Sequence, residues 1–351
     1  MKKPSRKQVL FWFIAAVAVC AALWFLTPRN GLFDRAILVA SGPEWIEPTD
    51  KSAGVPVYEW LNNREVILFK RTEDDKITLL RQQVIPAGIK SPATPMPVSS
   101  FRTPAILEIS PSKNTLELVY DLRSSVLASN AVSEFVSLQN GRTVKKFTGV
   151  FYGVWREEGS SFWQFNYRNG LSAQIEHYDT GKNESRSLKT FSDTIKEEIS
   201  CDANDPSGRV IAFGNAYDSQ MVLFPKQTIY DFNLNQLDAP VRKSSFNFPK
   251  NMTHFDYDIS ISGDKIFWEV LPIQDNFTTR ILSRLPPPWK PKNRIRWIVS
   301  DLHGEKMHAI AEYQDESTDY SPFDVSAPKL TPDGKYVSFI YHQGLYLLPT
   351  N

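Results

Sequence analysis

Beyond residue 30 the chain alternates short apolar runs with polar turns, and the runs are too short and too β-branched to be helices. Leu330-Thr331-Pro332-Asp333-Gly334-Lys335 leads into Tyr336-Val337-Ser338-Phe339-Ile340-Tyr341, a turn feeding a strand that is apolar on both faces. Pro presets the first turn position and Gly supplies the left-handed one, so the signature predicts a hairpin. It returns at Asp205-Pro206-Ser207-Gly208 before Val210-Ile211-Ala212-Phe213, and at Ile261-Ser262-Gly263-Asp264 before Ile266-Phe267-Trp268. Looser copies stand at Ser110-Pro111-Ser112-Lys113-Asn114, Asn62-Asn63 and Glu158-Gly159. A second, downstream turn predicts another hairpin within a unit, at Gln139-Asn140-Gly141, Asp179-Thr180-Gly181 and Asp301-Leu302-His303-Gly304. Two hairpins make a four-stranded meander, and strands covered on both faces explain the unalternating apolar runs.

The turns recur at about 50 residues, a spacing that suits propeller blades, so about six four-stranded blades are expected. A two-sheet sandwich with chance turns is the competing reading. The Ser/Thr-Pro-Asp-Gly-Lys pattern, with the later Ile298-Val299-Ser300-Asp301-Leu302-His303-Gly304 turn, resembles the WD40-like repeat of TolB-type β-propellers. The resemblance covers most of the chain after about residue 55. It implies a fold and little about activity, because propellers host hydrolases, lyases and pure binding modules. The chain departs from the Tol-system proteins in that an apolar N-terminal segment, rather than an α/β domain, precedes the repeats. The fold expected is all-β, a single propeller over 33–351, with 33–40 as a ring-closing strand that shields the last blade's edge.

Residues 9–26 contain no charge and would span roughly 27 Å as a helix, enough for a hydrocarbon core. Lys2, Lys3, Arg6 and Lys7 precede them, which keeps residues 1–8 cytoplasmic under the positive-inside rule. Trp12 and Trp24 sit where interfacial aromatics belong. Residues 9–26 are therefore expected to be a single-pass anchor in the cytoplasmic membrane, followed by a linker at 27–32 and a propeller facing the periplasm or exterior. A cleaved signal peptide and a lipoprotein at Cys20 are the alternatives. Cys20 inside the anchor cannot pair with Cys201, so no disulfide framework is expected.

The net charge of +1 argues against nucleic acid as a partner. The sequence carries no Gly-x-Ser-x-Gly elbow, zincin helix or Cys-x-x-Cys pair, and no metal or cofactor is expected. His303 and His308 read as turn residues, as do His177 and Asp179. Asp202, Asp205, Asp256 and Asp258 fall in or before first strands, which line a propeller's channel, so they are the candidates for acid/base or cation-binding roles, with turn hydrogen bonding as the alternative. The proline-rich stretches at 84–104 and 284–293 are the better lead for binding. In the second, Trp289 stands among Arg284, Lys290 and Lys292, a contact surface that would lose little entropy on docking; a plug for the blade's own core is the alternative. The acidic run from Glu312 to Tyr320 reads as a connector or as the complement of a basic partner. The function expected is a protein-interaction platform with an unidentified envelope protein as partner, reached from the membrane through the N-terminal helix. The alternative is a propeller hydrolase or lyase acting on envelope glycan or peptide.

Overall fold

The six hairpin turns read from the sequence each join the first two strands of an antiparallel sheet, and the sheets follow one another around a ring. In this computed structural model the described residues begin at 35. They leave out chiefly 43–55 other than Trp45, 85–91, 121–130, 149–152, 156–160, 191–196, 217–225, 248–251, 273–293 and 315–324. The expected anchor at 9–26 and the residues Arg284, Trp289, Lys290 and Lys292 lie outside the described residues. Among those described, no helix is long and apolar enough to cross a membrane.

Among the described residues, five sheets have four strands. The second blade is β7 (Ile106–Ile109), β8 (Thr115–Tyr120), β9 (Val132–Ser137) and β10 (Thr143–Thr148). The third is β11 (Gly153–Trp155), β12 (Ser161–Arg168), β13 (Ser172–Asp179) and β14 (Glu184–Thr190). The fourth is β15 (Glu197–Asn204), β16 (Arg209–Ala216), β17 (Lys226–Asn233) and β18 (Arg242–Asn247). The fifth is β19 (Met252–Ser260), β20 (Lys265–Pro272), β21 (Arg294–Asp301) and β22 (His308–Gln314). The last is β23 (Val325–Leu330), β24 (Tyr336–Tyr341) and β25 (Gly344–Pro349), with β1 (Ile37–Ser41) from the other end of the chain on its outside.

The first blade corrects the expectation of uniform four-stranded units. After β2 (Tyr58–Asn62), β3 (Glu65–Arg71) and β4 (Lys76–Gln83), its outer position is taken by two short pieces, β5 (Thr94–Pro95) and β6 (Phe101–Arg102), both paired to β4. Pro92, Pro95, Pro97 and Pro104 cannot donate to a ladder, so no continuous outer strand can form there. The segment still packs: Val98 is buried and Met96 and Phe101 lie against the core shared with the second blade.

Apolar faces of neighbouring blades form the core. Phe267, Trp297 and Val299 of the fifth blade interleave with Val325, Val337 and Phe339 of the last. Tyr58, Trp60, Val66 and Leu68 of the first meet Ile340, Leu345 and Leu347. Ile211 and Ile229 of the fourth pack on Ile266 and Trp268. Covered on both faces, the middle strands β3, β8 and β24 each hold four consecutive buried residues.

Candidate functional site

The first strand of each blade lies innermost, so the first strands of successive blades come together around the central channel. The described residues that meet there carry charge. Glu59 on β2 is gripped by Lys329 on β23, and Lys113, in the turn after β7, places its Nζ 3.7 Å from Glu59 Oε1. Asp258 on β19 accepts the backbone N–H of Leu330 at 2.5 Å. Four blades are thereby joined: Asp258 reaches from the fifth to the last, Lys329 from the last to the first, and Lys113 from the second to the first. Each of Glu59, Asp258 and Lys329 lies within three residues of its blade's first turn, so the cluster occupies one end of the channel.

A buried hydrogen-bond network backs this cluster. The Tyr58 hydroxyl sits 2.8 Å from both the Ala327 carbonyl and Ser338 Oγ. The Trp60 indole N–H donates to Ser338 Oγ at 2.9 Å, and the Ser338 hydroxyl lies 2.9 Å from the Lys329 carbonyl. Ala327 takes a left-handed φ of 49° beside a register shift between Ser326 and Lys329, which turns its carbonyl toward Tyr58.

Electrostatics separate the two carboxylates. Burial works against charge on Glu59, but Lys329 and Lys113 outweigh it and hold the group below the usual carboxylate range. Asp258 is pushed up to about 6, by burial first, with Glu59 adding to the rise and Lys329 opposing it. An acid tuned near neutrality beside a lysine is the arrangement that proton transfer uses.

A second perturbed acid lies away from the channel's charged end. Glu117 on β8 is 2 % exposed, faces Glu108 across the β7–β8 ladder, and its Oε1 has no hydrogen-bond partner. Burial, then Glu108, push it up to about 8, against a hydrogen bond from Ser133. Raised carboxyl groups hold their protons more firmly folded than unfolded. Their contribution is therefore complete below about pH 4 and is lost as pH rises through about 6 for Asp258 and about 8 for Glu117. Stability should fall by roughly 5 kcal/mol between pH 5 and pH 8, most of it from Glu117. Urea titrations across that range check this, and Glu117→Gln should remove much of the slope; an unchanged slope in the variant would contradict the assignment.

Of the residues singled out in the sequence, Asp258 is brought into the channel cluster. The side chains of Asp202, Asp205, Asp256 and His177 lie outside the described residues. His303 is exposed in its turn, and His308 sets Nε2 2.8 Å from the Thr350 carbonyl, a contact across the blade seam. Glu312 pairs with Arg296 within the fifth blade at 2.9 Å. Glu59, Lys113 and Lys329 were not singled out in the sequence; their only local signal is a charge within a first strand or its turn. Among the described residues no group of three or more His, Cys, Asp or Glu could hold a metal ion.

No family model matches the chain, and no curated protein matches its sequence. Solved structures resemble it at low identity. TolB from Acinetobacter baumannii is 12% identical over 82% of this chain, with a TM-score of 0.42, and the chain spans 63% of that protein's length. Oligogalacturonate lyase from Vibrio parahaemolyticus is 10% identical over 86% of this chain and 80% of its own, with a TM-score of 0.46. The β-propeller domain of the Trilobed protease from Pyrococcus furiosus is 12% identical over 81% and 78%, with a TM-score of 0.38. The ring of small antiparallel sheets makes this chain a β-propeller, and TolB is among its structural neighbours.

Proposed function

We propose that the chain is a membrane-anchored, extracytoplasmic propeller that serves as a protein-interaction platform in the bacterial cell envelope. One observation carries the reading: the channel charges are engaged in joining blades. Glu59 is kept ionised between two lysines, and Asp258 binds the backbone of the next blade. The apolar run at 9–26 supports the tether, and Trp289 with Arg284, Lys290 and Lys292 supports a contact surface.

The test uses the full chain in intact membranes. A photo-crosslinker at Arg284 or Lys290 should yield one recurring protein adduct, and Trp289→Ala should abolish it while leaving the melting temperature unchanged. Loss of an anchoring aromatic typically costs on the order of 2 kcal/mol, roughly thirtyfold in affinity. A lowered melting temperature with the adduct intact would make Trp289 a core plug and remove it from the binding surface.

A lyase or hydrolase acting on envelope glycan or peptide is the second reading, favoured by Asp258 titrating at about 6. Release of products from envelope glycan strands or peptides by the purified chain, lost in Asp258→Asn, would select it.

A further inference from the structure

A four-stranded meander puts its first-to-second and third-to-fourth turns at one end of the blade. The second-to-third connections and the links between blades lie at the other. Here the two ends differ in kind. At the first, neighbouring turns are locked together. The Ser260 hydroxyl donates to the Pro332 carbonyl at 2.5 Å, and Asn63 Oδ1 accepts the Asp333 N–H at 3.0 Å. Arg209 Nη1 reaches Asp264 at 2.7 Å and the Ile261 carbonyl at 3.3 Å. Gly263 lies so close to Gly334 that a Cβ on it would stand 2.6 Å from the Asp333 carbonyl oxygen. At the second end the connections are of mixed length, short at 72–75 and 342–343 and long at 121–131, 217–225, 273–293 and 315–324.

The strand directions also fix where the chain enters the ring. β1 runs antiparallel to β25, with Ile37 opposite Leu347 and Ser41 opposite Gly344, so residues 35 and 36 lie at the tight-turn end. Side-chain contacts hold them there. Arg35 donates from Nη2 to the Ile310 carbonyl at 2.5 Å and from Nη1 to the Asn351 carbonyl at 3.2 Å. Lys265 Nζ and His308 Nε2 hold Thr350 at the same seam, each at 2.8 Å. Residues 27–36 separate the apolar segment from β1, a stretch that reaches at most about 35 Å when fully extended.

We infer that the propeller stands on the membrane by its tight-turn end, the rim of interlocked turns facing the lipid surface and the long connections facing away. The inference rests on the anchor reading of residues 9–26. The short tether emerges at this end and leaves the ring little freedom to invert. The tether is what sets the orientation; the exposed charges at this end are of both signs, Arg64, Arg142, Lys306 and Lys335 with Asp264 and Glu305. The same geometry turns the charged end of the channel toward the bilayer and its other mouth toward the aqueous compartment. A partner in that compartment meets the end from which the 273–293 connection leaves the fifth blade.

The experiment uses the full chain, with Cys20→Ser and Cys201→Ser, reconstituted in lipid vesicles carrying an energy-acceptor dye on the headgroups. A single labelled cysteine is placed at Lys306→Cys or Lys335→Cys for the tight-turn end, and at Asp74→Cys or Lys76→Cys for the other. Transfer should be several-fold stronger from the first pair, and insensitive to salt. Equal or reversed transfer in protein that floats with the vesicles overturns the orientation and leaves the anchor standing. Protein that does not float with the vesicles overturns the anchor, and the orientation with it.

Discussion

Replacing Trp297 with alanine should cost about 5 kcal/mol, enough to unfold much of the chain at physiological temperature. The indole is fully buried at the seam between the fifth and last blades. Its ring meets Phe267, Tyr313 and Phe339 edge-on, with centroids 5.3, 5.8 and 5.1 Å away. Aromatic pairs in this geometry contribute beyond their buried area. Its N–H donates to Glu269 Oε2 at 2.8 Å, and Glu269 is itself only 5 % exposed. Alanine therefore opens a cavity and strips a donor from a buried carboxylate at once. Trp297→Phe separates the two effects: it keeps most of the volume, loses the donor, and should cost about 1–3 kcal/mol. Urea midpoints of the two variants check both figures. A loss below about 2 kcal/mol for the alanine would mean that the seam reorganises rather than holds.

Lys329→Met should be the most damaging change in the channel. The lysine lies against Glu59 and also lowers the proton affinity of Asp258, so its loss leaves two carboxylates to repel each other across the joined blades. Breaking a buried ion pair by removing one partner costs about 3–5 kcal/mol. The Lys329 and Glu59 side chains are 25% and 24% exposed, so the expected loss is near the lower figure, about 3 kcal/mol. The variant should also respond more steeply to pH, because Asp258 would titrate higher still without the cation. Denaturation at pH 5 and pH 8 measures both effects. A variant as stable as wild type at pH 8 would show that solvent, not Lys329, balances these acids.

Much of the architecture was legible because turn chemistry is local. The turns at Asn63, Ser112, Gly159, Ser207, Gly263 and Asp333 each fall between the first two strands of a sheet, since Pro, Asn and Gly act within four residues of themselves. The prolines between 92 and 104 likewise announced that no regular strand could run there. The channel cluster was not legible. Glu59 and Lys329 stand 270 residues apart and meet only because the ring closes, and ring closure leaves no local trace at either residue. Asp258 could be singled out because a carboxylate in a first strand faces the channel, but its lysine could not. Glu117 was hidden for another reason. Within Leu116-Glu117-Leu118 it reads as the solvent side of an alternating strand, and only packing on both faces of β8 buries it.

The channel charges hold the blades together. A double-mutant cycle on Glu59→Gln and Lys329→Met, read by urea denaturation of the full chain, tests it most directly. The double variant should be more stable than the sum of the two losses allows, with a coupling of about 1–3 kcal/mol. Losses that add to within about 0.5 kcal/mol would contradict it, leaving Glu59 and Lys329 as neighbours that do not bind the ring.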